Sequence, residues 1–216
     1  MIYYISDLHF YHENIIKLAN RPFSTLEEMH DKLIENWNNA VTNEDTVYFL
    51  GDFSFKTNQG TATQILKQLK GIKYFIKGNH DNPQWLNQMK EQGLIKDWYN
   101  LLEIKDKDRD VILCHYPLHS WNKMYRGSYH LYGHVHQDTV NNEEFQKNRF
   151  NVCCEVLEYT PKTLDQLIEE RRIMNSIEES IKNCEDKIWD GFWKNICYEI
   201  DPEIFKYIQI DDLVKD

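Results

Sequence analysis

Side chains that can bind metal ions or move protons recur at five places in the chain, each directly after a short apolar segment of the kind that forms a strand. Singly these patterns are weak, because a Gly-Asp pair is usually a turn. Five in succession point to one site at the carboxyl edge of a sheet, where α/β proteins bind ligands. The five segments are Asp7-Leu8-His9, Gly51-Asp52, Gly78-Asn79-His80-Asp81, His115 and Gly133-His134-Val135-His136.

The donor types favour a pair of transition-metal ions. Oxygens from Asp and Asn, together with imidazoles, can form two mixed sites that share one carboxylate, which suits manganese, iron, zinc or nickel better than calcium or magnesium. No cysteine belongs to the set, which disfavours a structural zinc site. Two such ions about 3.5–4 Å apart generate hydroxide near neutral pH and stabilise both oxygens of an in-line displacement. The glycines before Asp52, Asn79 and His134 are expected to let the backbone turn sharply.

The elements that must position these residues can be predicted from apolar patterning. Early strands alternate with helices and later strands follow each other closely, which predicts mixed sheets. A helix is expected to start at Ser24-Thr25, since Glu27-Glu28 follow, and another near Pro161 and Thr163. The predicted strands cover residues 2–5, 46–50, 74–76, 110–113, 129–132 and 150–157, and a further helix covers 62–69.

The carboxy-terminal part has a different pattern, so a domain over residues 1–172 and a helical extension over 173–216 are predicted. Apolar residues recur there at helical spacing, which indicates a packing face rather than a cofactor site. This face is expected to cover the parent domain or to form an oligomer contact. Four of its side chains are predicted to be buried, namely Ile177, Ile181, Ile188 and Trp193.

Composition narrows the class of partner. The 216 residues carry 25 Lys and Arg against 35 Asp and Glu, a formal charge of -10, which disfavours long nucleic acid. The amino terminus lacks a basic stretch followed by an apolar one, and no apolar run reaches membrane-spanning length. The five cysteines include the adjacent pair Cys153 and Cys154 and are expected to be free thiols. A cytoplasmic protein is predicted.

The five segments resemble the motifs of the calcineurin-like metallophosphoesterase superfamily, namely D-x-H, GD, GNHD, H and GHxH. The stretch from Ile5 to Ile16, with Arg21-Pro22-Phe23, looks like a small bacterial and phage branch of it. The resemblance implies an α/β fold, a four-layer αββα sandwich of two mixed β-sheets flanked by helices, with the helical extension appended. Members of this branch often have Asn-Val-Gly after the last motif. Here Cys153-Cys154 follows Asn151-Val152, a difference expected to affect packing and not the ligands.

The resemblance also implies roles for matching residues. His80 would face the substrate without binding metal and assist the leaving group or the developing charge. Asp81 would either orient His80 or cap a helix. Two divalent ions are implied, with manganese preferred over iron, zinc or nickel. Their ligands would be Asp7, His9 and His136 for the first ion, Asn79, His115 and His134 for the second, and Asp52 as the bridge.

The expected reaction is hydrolysis of a phosphate mono- or diester by in-line attack of a hydroxide that bridges the two ions. The substrate is expected to be small, with nucleotides among the options, and His12, Asn14 and Arg21 are candidates to contact it. A nuclease or cyclic-nucleotide phosphodiesterase of the same superfamily is the main alternative. A non-catalytic scaffold is disfavoured because every motif is intact, and a dinucleotide-binding protein because no GxGxxG follows the first strand.

Overall fold

Two four-stranded sheets form the body of the protein in the computed structural model, which describes residues 1–55, 59–137 and 147–188. Their strand orders are β1-β2-β3-β4 and β5-β6-β7-β8. The strands are β1 Ile2–Ile5, β2 Thr46–Phe49, β3 Ile72–Ile76, β4 Asp97–Tyr99, β5 Leu101–Asp106, β6 Arg109–Cys114, β7 Tyr129–Tyr132 and β8 Arg149–Asn151. The helices are α1 Ile15–Leu18, α2 Leu26–Ala40, α3 Gln59–Leu66, α4 Pro83–Glu91 and α5 Leu164–Ile188, with a 3₁₀ turn at Met124–Arg126.

The predicted α/β architecture is confirmed. Both sheets were predicted to be mixed, but only the second has parallel and antiparallel strands. The strands of the first sheet are all parallel because helices connect them, and its antiparallel element is an isolated bridge between Tyr4 and Lys162. The second sheet is mixed, since β5 and β6 form an antiparallel hairpin while β6, β7 and β8 run parallel. Strands β4 and β5 were not predicted, because their sequences, Asp-Trp-Tyr and Leu-Leu-Glu-Ile-Lys-Asp, contain charged residues and are not continuous apolar runs.

Aromatic side chains occupy both faces of the parallel sheet. On one face the in-register residues Tyr4, Tyr48 and Tyr74 stack with ring centroids 5.9 and 5.2 Å apart. The Tyr4 hydroxyl donates to Asp106 at the end of β5 (3.0 Å), which joins the two sheets. On the other face Phe75 contacts Trp85 of α4, with ring centroids 6.3 Å apart. The sheets therefore face each other, and helix α4 covers the outer side.

Helix α2 begins where the sequence predicts. The Thr25 hydroxyl accepts a hydrogen bond from the Glu28 N–H (3.1 Å), and the Glu28 carboxylate accepts one from the Ser24 N–H (2.7 Å). This reciprocal pair is a capping box, which satisfies N–H groups that would otherwise lack partners. The apolar stripe of the helix is buried at Met29, Leu33 and Trp37. The capping box thus fixes where α2 begins, and burial of the apolar stripe shows which face of the helix packs inward.

Strand β8 ends well before the predicted position 157. Beyond Val152 the chain folds into turns, in which the Val156 and Leu157 N–H groups donate to the Cys153 carbonyl (3.0 and 3.1 Å). Apolar composition alone made residues 150–157 look like one strand, but backbone hydrogen bonding shows a tight turn instead. The turn buries Glu155, which is 8% exposed.

The chain divides into two compact units, residues 1–164 and 165–216. Helix α5 runs without a break through the predicted boundary at 172, and the domain division stays a prediction. Ile177 is buried, whereas Ile181 is 46% exposed in the single chain, so its burial would require another chain and stays a prediction. The Ile188 side chain and Trp193 lie outside the described residues. Among helices in the described part of the chain, none is both long and apolar enough to cross a bilayer.

Replacement of Leu33 by alanine should lower the free energy of unfolding by about 2–5 kcal/mol, because it leaves a cavity under α2. Lys32→Ala is the neighbouring control, since Lys32 is exposed and its ion pair with Glu35 is a surface contact worth little. Urea unfolding of both variants checks this expectation. Equal stability of the two variants would contradict the packing described for α2.

Candidate metal centre

The seven predicted ligands converge at the carboxyl edges of the two sheets. Ligand atoms of Asp7, His9 and His136 lie within 4.8 Å of one another, and we call these residues the first group. A second group contains Asp52, His115 and His134, within the same distance. Asn79 joins the second group because its side-chain oxygen lies 3.0 Å from His115 Nε2 and 2.9 Å from His134 Nδ1. Each of the seven follows a strand, as predicted, and their role as ligands stays a prediction.

Asp52 lies between the two groups. Its Oδ2 atom is 3.7 Å from His9 Nε2 in the first group and 3.5 Å from His115 Nε2 in the second. Its Oδ1 atom accepts a hydrogen bond from the His80 backbone N–H (2.8 Å). One oxygen is thus held by the backbone and the other faces both sets of imidazoles, as a shared carboxylate requires.

The first group contains buried polar atoms that fit a cation. Within the described residues, Asp7 Oδ1 and both ring nitrogens of His9 are buried without a hydrogen-bond partner. His9 Nε2 is 3.7 Å from Asp7 Oδ1, too far for a hydrogen bond. Unsatisfied buried polar atoms are costly, and a carboxylate and an imidazole that face each other across such a gap are well placed to share an ion.

Two of the imidazoles are oriented by hydrogen bonds from the ring nitrogen that faces away from the site. The His115 Nδ1–H donates to the Leu50 carbonyl (2.8 Å), and the His136 Nδ1–H donates to Glu155 Oε1 (2.9 Å). In each case the hydrogen bond fixes the tautomer and leaves Nε2 as a lone-pair donor towards the site. Hydrogen bonds of this kind commonly orient metal-binding histidines.

The charges of the cluster compensate one another. Burial alone would raise the pKa of Asp7, but the neighbouring His9 and His115 imidazoles hold it well below the ordinary value. Burial likewise opposes ionisation of Asp52, and His115 outweighs it and lowers the Asp52 pKa. The pKa of His115 is raised in return, because the carboxylates of Asp52 and Asp7 outweigh its burial. The carboxylates are therefore ionised at neutral pH and available to a cation.

The backbone of the site is held in an unusual conformation. Five of the seven predicted ligands have positive φ, a region that residues other than glycine rarely occupy. Such conformations persist only where surrounding contacts enforce them, and they cluster at functional sites. The five residues and their φ values are Asp7 57°, His9 50°, Asp52 59°, His134 73° and His136 51°.

The glycines of the motifs matter mainly because they allow other atoms of the site to come close to the backbone. Gly51 has a φ of 94°, as expected for a sharp turn, and a Cβ there would stand 2.6 Å from His115 Nδ1. Gly78 and Gly133 do not have positive φ. A Cβ on Gly78 would overlap the Asp52 carboxylate, and one on Gly133 would overlap Asp7 Oδ2. The backbone does bend directly after both glycines, with the Val135 N–H donating to the Gly133 carbonyl (2.9 Å), but the bends do not use a positive φ at the glycines. Glycine is needed at these two positions because it makes room for the carboxylates.

His80 and Asp81 occupy different environments. The His80 side chain is 36% exposed, and its Nε2 lies 3.9 Å from Asp52 Oδ2, beside the cluster but open to solvent. Asp81 is buried and accepts hydrogen bonds from the N–H groups of Asp52, Phe53 and Gly78 (2.8–3.0 Å). It takes neither of its two expected roles, because its oxygens hold two loops together and Asn82 caps α4.

The candidate substrate contacts do not share one environment. His12 is half-buried beside the site, with its ring centroid 3.9 Å from Phe55 and 5.5 Å from His9, and Asn14 is exposed at the start of α1. Both stay predictions. Arg21 is placed differently from the expectation, since its side chain is fully buried and its guanidinium is occupied by Glu155 and backbone carbonyls. The expectation that Arg21 contacts substrate is therefore wrong.

Sequence reasoning missed two residues beside the site. Glu155 was hidden in a predicted strand, although a lone acidic residue within an apolar run was a usable signal. Cys153 was expected to affect only packing, but its Sγ donates to Asp7 Oδ2 (3.2 Å). The His134 N–H donates to the same oxygen (2.9 Å), which leaves Asp7 Oδ1 as the free acceptor.

Replacement of Gly78 by alanine should greatly reduce metal content after loading, because the new methyl group would displace the Asp52 carboxylate. Gly93→Ala is the control, since no atom lies within 4 Å of a Cβ there and its positive φ makes the change cost only stability. Elemental analysis of both variants after manganese loading, with circular dichroism to check folding, makes the comparison. A folded Gly78→Ala protein with wild-type metal content would refute the close-approach explanation.

Comparison with known proteins agrees with this geometry. The family model of calcineurin-like phosphoesterases matches residues 1–138. An uncharacterised protein of Methanocaldococcus jannaschii, MJ1445, is 36% identical over 185 residues, which cover 82% of this chain and 97% of the relative. The Gene 66 protein of Mycobacterium phage L5 is 24% identical over 69% of this chain and 84% of its own length. A crystal structure of AQ665 from Aquifex aeolicus, a protein of unknown function, superposes with a TM-score of 0.60 at 28% identity over 74% of this chain and 94% of its own. This chain belongs to the calcineurin-like phosphoesterase family.

Proposed function

We propose that the protein is a phosphoesterase that uses two divalent transition-metal ions to hydrolyse a small phosphate mono- or diester. The observation that supports this most directly is the position of Asp52 between two groups of donors, one of which contains the buried, unpartnered atoms of Asp7 and His9. Membership of the calcineurin-like phosphoesterase family points to the same class of reaction.

In this proposal Asp7, His9 and His136 hold one ion, Asn79, His115 and His134 hold the other, and Asp52 contacts both. When bound, the ions would activate water near neutral pH and neutralise charge on the phosphoryl oxygens. Manganese is our first choice, with iron, zinc and nickel as alternatives, because the donors mix oxygen and imidazole nitrogen. The protein itself holds these donors in place. The Leu50 carbonyl orients the His115 imidazole, and Glu155 orients that of His136.

His80 is the proposed catalytic residue outside the ligand set. Its imidazole lies beside the donors, touches the Phe55 ring (centroids 4.8 Å apart) and is partly open to solvent. An imidazole in this position can donate a proton to the leaving oxygen or a hydrogen bond to the phosphoryl group. Its backbone N–H holds Asp52, so its placement depends on the bridge.

A small anionic substrate suits the charge of the chain better than long nucleic acid, since the formal net charge is -10. A reducing compartment such as the cytoplasm suits the cysteines. Cys153 and Cys154 are buried free thiols that donate to Asp7, and oxidation would withdraw both hydrogen bonds. These two points extend the proposal to partner and location.

The first test is metal stoichiometry together with a substrate panel. Apoprotein titrated with manganese should bind two equivalents, and the loaded protein should hydrolyse mono- or diesters, with cyclic nucleotides included in the panel. Asp52→Asn should lose most of both metal and activity, because the bridge contributes to both ions. A stoichiometry of one or none would overturn the dinuclear proposal, and two bound ions without hydrolysis of any ester would overturn the enzymatic one.

The second test concerns His80. Because general acid catalysis contributes about 10²–10⁴-fold, His80→Ala should lose about that factor in kcat on an ester with a poor leaving group. The loss should shrink on an activated aryl ester, whose leaving group barely needs a proton. Metal content of the same sample should stay at the wild-type value. Equal losses on both esters would exclude proton donation and leave charge stabilisation, and loss of metal would make His80 a ligand.

A further inference from the structure

Arg21 is unusual because its whole side chain is buried beside the site. The guanidinium donates to Glu155 Oε1 through Nη2 (2.6 Å) and Nε (2.9 Å). Nη2 also donates to the Asp7 carbonyl (2.7 Å) and Nη1 to the Leu8 carbonyl (2.8 Å), both in the loop that follows β1, and Nη1 further contacts Met29 Sδ of α2 (3.3 Å). The side chains of Arg21 and Glu155 are both 0% exposed. An ion pair this deeply buried costs much desolvation, so stability alone is a poor explanation for it.

Glu155 contacts the site from the opposite side of this pair. The Oε1 atom that accepts from Arg21 also accepts from His136 Nδ1 (2.9 Å). The arginine and imidazole groups facing the carboxylate outweigh its burial and hold the pKa of Glu155 below its ordinary value. One carboxylate oxygen therefore connects the Arg21 guanidinium to a predicted metal ligand.

The Arg21–Glu155 pair reaches every member of the first group. Arg21 holds the backbone at Asp7 by donating to the Asp7 carbonyl, and it holds the backbone next to His9 by donating to the Leu8 carbonyl. Glu155 holds the His136 ring by accepting from its Nδ1. Asp7 and His9 both have positive φ, a conformation that needs such enforcement.

The second group is held by other contacts. The Leu50 carbonyl orients His115, the buried Asp81 carboxylate ties the Asp52 loop to Gly78, and the Asn79 side chain touches His115 and His134. The side-chain hydrogen bonds from Arg21 to Glu155 and to the Asp7 and Leu8 carbonyls, and that from His136 to Glu155, involve none of these second-group side chains. The two groups thus differ in the side chains that orient their imidazoles, while the hydrogen bonds from the His134 N–H to Asp7 and from the His9 N–H to the Asp52 carbonyl link them.

We infer that Arg21 and Glu155 are positioning residues that set the affinity of the first group for its ion and act on the second group much more weakly. The inference rests on the proposed dinuclear function and deepens it. It gives Arg21 a role in metal binding in place of substrate binding. Residues that orient metal ligands from behind typically change metal affinity by about 10–100-fold when they are replaced.

A double-mutant cycle separates positioning from stability. Arg21→Met and Glu155→Leu each leave an unpaired buried charge, so each should lower the urea midpoint of the full-length protein. The double variant buries neither charge and should recover stability. In all three, one of the two manganese equivalents should bind about 10–100-fold more weakly. The EPR signal of free manganese during titration of apoprotein gives both affinities directly, and the double variant alone suffices if a single variant does not fold.

Asp106→Asn is the matched control. Asp106 is the last residue of β5, is buried and accepts a hydrogen bond from Tyr4. It pairs with Arg109 at the start of β6, whereas His115 follows the other end of that strand. This variant should lose stability and keep both manganese equivalents. If it too loses one equivalent, the loss in the cycle is a general effect of destabilisation and the inference fails.

Two further outcomes are decisive. A double variant that recovers both stability and wild-type affinity for two equivalents would overturn the positioning role and leave the dinuclear proposal intact. A wild-type protein that binds fewer than two equivalents would overturn the proposed function and this inference together.

Discussion

The Asp52 carboxylate and its loop connect the parts of the structure on which the site depends. The Asp52 backbone carbonyl accepts from the His9 N–H (3.0 Å), its N–H donates to Asp81, and its side chain accepts from the His80 N–H. The loops after β1, β2 and β3 are therefore fixed to one another through a single residue. Gly78 must lack a side chain because Asp52 lies against it. The parallel order of the first sheet brings these loop ends to one edge, and Asp52 holds them there.

This arrangement lowers the folding stability of the protein when no ions are bound. Five left-handed ligand residues and buried, unpartnered atoms of Asp7 and His9 all lower the stability of the folded chain. A ligand that binds only the folded state offsets such a cost in proportion to the logarithm of its concentration over Kd. The same strain that weakens the apoprotein therefore preorganises the donors, since little rearrangement is left when ions bind.

The sequence predicted the strands before the motifs, the helix start at Thr25 and the convergence of the seven donors. These predictions succeeded because each rests on a local signal, an apolar run followed by a polar residue. Arg21 and Glu155 could not be placed in this way. A charged side chain is usually exposed, and the contact between these two residues joins positions 134 apart in the chain. Strand β8 was predicted too long for a related reason, because apolar composition does not distinguish a buried strand from a buried turn.

Charge explains why both donor groups matter to an anionic substrate. Around the site the carboxylates of Asp7, Asp52, Asp81 and Glu155 are buried. The cations beside them are the Arg21 guanidinium and the Lys77 ammonium, which donates to the Gly78 carbonyl, so the acids outnumber these bases by two charges. One divalent ion would only balance this excess, in a chain whose formal net charge is -10. A second divalent ion reverses the local sign. The pair that supports the first group and the contacts that support the second are therefore both needed before electrostatics favours the substrate, which links the buried chemistry of Arg21 and Glu155 to the proposed reaction.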